Sequence, residues 1–97
     1  MAEIITETLG GANQFSEAAY LEGYFNLSIT GTFTATVTVQ RSFDKGSNWH
    51  DVDTFTSAAE EVGFEPETVK YRVGIKTGDY TSGSAVIRIG HEDNETH

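Results

Sequence analysis

The segment from Gly31 to Trp49, GTFTATVTVQRSFDKGSNW, alternates almost without interruption at a two-residue period. Phe33, Ala35, Val37, Val39, Arg41 and Phe43 fall on one face, and Thr32, Thr34, Thr36, Thr38, Gln40 and Ser42 on the other. Successive side chains of a strand point to opposite faces. The pattern therefore predicts a β-strand with one buried face and a Thr-rich face that is solvated or pairs across the sheet. The run passes into Asp44-Lys45-Gly46-Ser47-Asn48 and leaves at Trp49, which predicts a tight hairpin.

Similar runs recur along the rest of the chain. Tyr24 to Ile29 alternates with Phe25, Leu27 and Ile29 facing in, and Gly31 separates it from the long strand, so the two are expected to form a second hairpin. Ser16 to Glu22 is too short for a stable helix and reads as strand or loop. After a weaker strand over His50 to Thr56, the polar and acidic stretch Ser57 to Glu67 contains Pro66 and is expected to be a loop crossing between sheets. Val69, Tyr71, Val73 and Ile75 alternate next, then turn formers fill Thr77 to Gly83, and Ala85, Ile87 and Ile89 alternate in the last strand. Tyr71 stands where a tyrosine corner, its hydroxyl bonded back to the chain, is found in immunoglobulin-like domains.

The fold expected is all-β, an antiparallel β-sandwich, immunoglobulin-like or jelly-roll-like, with an extended N-terminal arm. The arm covers 1–12, the sandwich 13–91 and a polar C-terminal tail 92–97. With Ile4 and Ile5 among polar residues, the arm either pairs as an edge strand of its own domain or lies along a neighbouring subunit. In the second case its deletion leaves a folded domain that attaches more weakly.

Ninety-seven residues are enough for one domain with a modest core, and without cysteine no disulfide or thiolate metal site supports it. The N-terminus MAEIITETLGG lacks a basic region and an apolar stretch, so it does not read as a signal peptide, and no apolar run reaches membrane-spanning length. Six basic against fifteen acidic residues give a formal charge of −9, and Arg41, Arg72 and Arg88 are scattered. Phosphate backbones would repel such a chain, so no nucleic-acid partner is expected. The acidity serves solubility or complements a basic protein surface.

Ser42-Phe43-Asp44-Lys45-Gly46-Ser47-Asn48-Trp49 resembles the Asp-box, Ser-x-Asp-x-Gly-x-Thr-Trp, matching at Ser42, Asp44, Gly46 and Trp49 and departing at Asn48. Each matching residue has a structural task. Asp44 accepts hydrogen bonds from turn amides, Gly46 supplies positive φ, and Trp49 covers the hairpin base. In sialidase-like propellers the motif is repeated and lies away from the active site, whereas here it occurs once in a chain too short for a propeller.

No catalytic, cofactor-binding or metal-binding residue is assigned. His50, His91 and His97 form no ligand pattern, and Asp44, Asp51, Asp53 and Asp79 lack the spacing of a calcium loop. No carboxylate pair is singled out for glycoside hydrolysis, and no nucleophile arrangement or phosphate loop is present. Most aromatics fall at inward positions. Tyr20, Tyr24 and Tyr80, with Ile4 and Ile5, are the candidate interaction residues.

Taken in order, GYFNLSITG, GTFTATVTVQRSFDKGSNW and VKYRVGIKTGDYTSGSAVIRI resemble small β-rich virion structural proteins of tailed bacteriophages, over residues 23 to 90 or so. The resemblance implies a non-enzymatic capsid decoration or cement protein that binds the major capsid protein or another virion protein. It implies assembly as a homotrimer at a symmetry axis, synthesis in the bacterial host cytoplasm and a final place on the outer capsid surface. It supplies no catalytic residues. Two alternatives stand beside it: a phage neck or tail component, and a carbohydrate- or cell-surface-binding β-sandwich module, which an exposed coplanar aromatic platform would favour.

Overall fold

Period-two alternation becomes strand along most of the chain. The computed structural model describes residues 3–91 and contains β1 (Glu3–Leu9), β2 (Gln14–Phe15), β3 (Ala19–Thr30), β4 (Phe33–Ala35), β5 (Val37–Ser42), β6 (His50–Phe55), β7 (Ala59–Ile75), β8 (Tyr80–Gly83) and β9 (Ala85–His91). The expected tail over 92–97 lies outside the described residues. All strand pairs are antiparallel. The main sheet runs β1-β9-β3-β7-β5-β6, with β2 added beside β7, while β4 and β8 form a small second sheet. The all-β, sandwich-like fold expected from the sequence is present.

The two long strands β3 and β7 create the layers. Their register runs from Ala19 opposite Tyr71 to Leu21 opposite Val69, then shifts and resumes with Gly23 opposite Glu65. Pro66, Glu67 and Thr68 therefore bulge against Glu22 alone, and Thr68 Oγ1 donates to the Glu22 carboxylate at 2.9 Å. A bulge bends and twists its strand, and it is one of the few places where a sheet tolerates a residue with no N–H to donate. One layer holds β1, β9 and the segments 23–30 and 59–65. The other holds β6, β5 and residues 69–75, bordered by β2 and residues 19–21.

Between the layers the inward side chains form one buried cluster. Phe25, Leu27, Ile29, Ile87 and Ile89 come from the first layer, and Val37, Val39, Val69, Tyr71 and Val73 from the second. Phe25 and Tyr71 meet with ring centroids 5.0 Å apart. Burial of this apolar area is the main term holding the layers together.

Three local expectations are corrected. Ser57 to Glu67 is not a crossing loop, because Ala59–Glu65 is strand and the crossing is made by the bent strands themselves. Its alternation is inverted, with Glu61 and Glu65 opposite inward residues and Val62 and Phe64 exposed, so a hydrophobic pattern could not reveal it. The alternating run from Gly31 is two strands. It breaks at Thr36, whose N–H donates to the Asp79 carbonyl at 2.8 Å, so that β4 joins β8 and β5 joins the main sheet. The hairpin expected between Tyr24–Ile29 and the long strand does not form, since β3 pairs with β7 and β9 instead.

The arm is also placed. Residues 3–9 pair with β9 along the whole of β1, and Leu9 is fully buried. They are an edge strand of their own domain, one of the two options the sequence left open. Deletion of residues 1–12 removes a core side chain as well as an edge, and the truncated domain is no longer expected to fold independently.

Candidate functional site

The Asp-box-like hairpin is closed by side chains. Ser42 Oγ donates to Asp44 Oδ1 at 2.7 Å and accepts the Gly46 N–H at 2.8 Å. Asp44 Oδ1 accepts the Asn48 N–H at 2.9 Å, and Asp44 Oδ2 accepts Asn48 Nδ2 at 2.7 Å. Asn48, the departure from the motif, thus contributes two of the turn's hydrogen bonds. Lys45 and Gly46 take φ of 62° and 95°, which completes the reversal. The side-chain amide of Asn48, the Ser42 hydroxyl and the Asn48 backbone together hold the Asp44 carboxyl down at about 2.

This gives a signed expectation. A carboxylate whose folded pKa is depressed stabilises the fold above its ordinary value near 4 and loses that contribution as pH falls toward 2. Carbon-detected NMR of the Asp44 carboxyl should show a midpoint near 2. In Asn48→Ala the midpoint should move upward, and an unmoved midpoint would mean that Asn48 does not hold the carboxylate.

Trp49 does more than cover the hairpin base. The Arg72 guanidinium lies 4.3 Å from the Trp49 ring and 4.2 Å from that of Phe15, and Arg72 Nε donates to Gln40 Oε1 at 2.8 Å. Gln40 Nε2 in turn donates to Asp51 Oδ1 at 2.9 Å, and Asp51 pairs with Lys76. Burial lowers the Arg72 pKa from its ordinary value. These groups roof the Thr-rich face of β5, which is why Thr38, Gln40 and Ser42 are buried rather than solvated. Phe15 is seated directly on Gly74, where a Cβ would come within 2.1 Å of the ring.

Because the Trp49 ring is half-buried, Trp49→Ala is expected to cost about 1–2 kcal/mol, less than a fully buried ring. Urea denaturation checks this. A loss above about 3 kcal/mol would place the ring in the main core.

A second region lies where the layers part. A cleft of about 240 Å³ opens between β6 and the first half of β7, lined by Phe25, Val39, Val52, Phe55, Phe64 and Glu65 among others. Glu65 is buried at its floor, and its Oε2 accepts Arg41 Nη1 at 2.7 Å and the Tyr71 hydroxyl. Burial, followed by the hydrogen bond to Glu65, pushes Tyr71 up to about 12, while Glu65 raises the Arg41 pKa. Tyr71 therefore bonds back to a residue shortly upstream, as in a tyrosine corner, but to a carboxylate instead of the backbone. At the floor of the cleft Arg41, Glu65 and Tyr71 satisfy one another.

The candidate interaction residues separate. Tyr24 is 73% exposed on the outer face of the first layer, while Tyr20 is exposed with Lys70 Nζ 5.5 Å from its ring. Tyr80 is half-buried, packs against the core and donates its hydroxyl to the Gly83 carbonyl at 2.9 Å. Ile5 packs on the core, whereas Ile4 lies on the outer face in a cross-strand row with Gly90, Asn26 and Val62. Two residues missed in the sequence complete that face. Val62 is 70% exposed, and Phe64 meets Tyr24 at 4.8 Å with the rings tilted by 52°. The tilt departs from the coplanar platform that a sugar-binding module would present.

Among the described residues no group of three or more His, Cys, Asp or Glu side chains could hold a metal ion, and no helix is long and apolar enough to cross a membrane. No protein-family model matches this chain, and neither a curated protein sequence nor a solved structure does.

Proposed function

We propose that this chain is a non-enzymatic structural protein of a tailed-phage virion, a decoration or cement protein that binds the major capsid protein on the outer surface of the shell. The observation that carries the reading is the exposed apolar face formed by Tyr24, Val62 and Phe64 on a sheet backed by a packed core. Large apolar side chains clustered on an otherwise acidic surface mark a place where another protein is covered. A cement protein needs a rigid scaffold, a soluble remainder and an adhesive face, and it needs no chemistry. The resemblance of residues 23 to 90 to small virion proteins adds to this, and by analogy the working unit is a trimer at a symmetry axis.

The test is co-sedimentation with capsids stripped of accessory proteins. Tyr24→Asp and Val62→Asp should each weaken binding by about tenfold or more while leaving the circular dichroism spectrum unchanged. Binding by either variant as tight as that of the parent would remove this face from the contact. Attachment to tails but not to shells would move the protein to the neck or tail.

A further inference from the structure

The cleft between β6 and β7 has a feature that the exposed outer face does not explain. Asp53 pairs with the inward residue Val39 and Glu61 with the inward residue Leu27, so each acid points toward the interior of the sandwich from a different layer. Both line the same cleft and both are exposed at its mouth. Among the described residues no cation pairs with either one, although Asp51 is matched by Lys76 and Glu65 by Arg41. Behind them the walls are apolar, formed by Phe25, Leu27, Val39 and Phe55, with Val52 on a bulge of β6 at the lip.

The flanking backbone is open as well. Residues 59–65 of β7 pair with β3 on one side, while β5 joins β7 only at residues 70–74. Among the described residues no strand takes the other side of 59–65. Alternate N–H and C=O groups of an antiparallel strand point away from its partner, so this stretch presents a free hydrogen-bonding edge beside an apolar cleft with an acidic mouth.

We propose that this seam captures an extended segment of a partner protein, which adds as a strand to residues 59–65 and carries an apolar residue flanked two positions away on each side by Lys or Arg. Strand addition supplies main-chain hydrogen bonds, and pockets for alternate side chains supply selectivity. Side chains at i, i+2 and i+4 share a face, so the central apolar group enters between Phe25 and Phe55 while the flanking cations meet Asp53 and Glu61. The choice of a basic segment over the same edge of a second copy follows from charge, because that edge carries Glu60, Glu61 and Glu65 and the mouth itself is acidic. The proposal concerns the chemistry of the captured segment and stands independently of the virion reading.

The probe is the synthetic peptide Thr-Lys-Thr-Leu-Thr-Lys-Thr with blocked ends, titrated into the full-length 15N-labelled protein. The control peptide has the same composition but places its lysines beside the leucine, so that they point to the opposite face. Saturable shifts of amides in 59–65 and in β6 are expected, with the control weaker by about tenfold. Asp53→Asn combined with Glu61→Gln, both at exposed positions, should weaken the probe by a similar factor while the rest of the spectrum is retained. Absence of saturable shifts, shifts mapping to the Tyr24 face, or equal binding of the two peptides would overturn the proposal. So would unchanged probe binding by the double variant accompanied by its self-association, since inward-facing acids that only guard an edge behave that way. Loss of capsid binding in Tyr24→Asp leaves this result untouched, so the two readings fail separately.

Discussion

Arg41→Ala should lower the stability of the domain by about 2–3 kcal/mol. Glu65 is 3% exposed, and among the described residues its carboxylate is held by two side chains, the Arg41 guanidinium at 2.7 Å and the Tyr71 hydroxyl. Removing the cation leaves a buried charge with a single neutral donor, and breaking a buried pair in this way typically costs about 3–5 kcal/mol. The figure is set lower because the Arg41 side chain is 37% exposed, so water entering from the cleft takes over part of its role. One further variant separates the pair from its parts. Glu65→Leu with Arg41→Met removes both charges and should recover most of the loss, because an apolar replacement of a buried ion pair is often neutral or stabilising. Chemical denaturation with a constant slope would measure both. A cost below about 0.5 kcal/mol for Arg41→Ala would mean that Glu65 is fully solvated in practice.

Gly83→Ala should be comparably damaging, at about 3 kcal/mol, for reasons that a second glycine lets one divide. Gly83 takes φ of 83°, in the left-handed region where an L side chain crowds its own carbonyl, and a Cβ there would lie 2.4 Å from the Thr32 carbonyl oxygen and 2.7 Å from the Phe33 Cα. Both contacts are backbone, so relief requires β4 to move away from β8, and those two strands make up the entire second sheet. Gly78 has φ of 90° and nothing within 4 Å of its Cβ position, so Gly78→Ala feels the conformational penalty alone, roughly 1–2 kcal/mol. The difference between the two midpoints reads out the collision. Equal effects would show that β4 yields freely and that the small sheet adds little to the fold.

The strands that sequence patterning located are those in which apolar residues alternate on the core side. Phe25, Leu27 and Ile29 in β3, Val69, Tyr71, Val73 and Ile75 in β7 and Ala85, Ile87 and Ile89 in β9 are all buried as their spacing requires. The hairpin at Asp44 was equally legible, since its closure uses side chains within a few positions of one another. The first half of β7 was not legible. There the inward positions carry Glu61, Gly63 and Glu65, whose acceptability depends on Arg41, on the Phe25 ring filling the space above Gly63, and on an open cleft, all supplied by distant parts of the chain. With that strand read as loop, Val62 and Phe64 are missing from the outer face that carries the candidates Tyr24 and Ile4.

Partition of the run from Gly31 at Thr36 was likewise invisible, because alternation continues through a residue that hands the chain from one sheet to the other. Nothing local marks the change, and it is decided by which edges β8 and β7 offer. The sequence by itself determined the all-β class, the inward faces of the regular strands and the side-chain closure of the hairpin, because each depends on period or on neighbours a few residues away. Tertiary structure alone decided which strands meet, where β3 and β7 bend, and which acids are paired or left at a cleft mouth. Those outcomes depend on contacts between residues far apart in the chain, which no local pattern encodes.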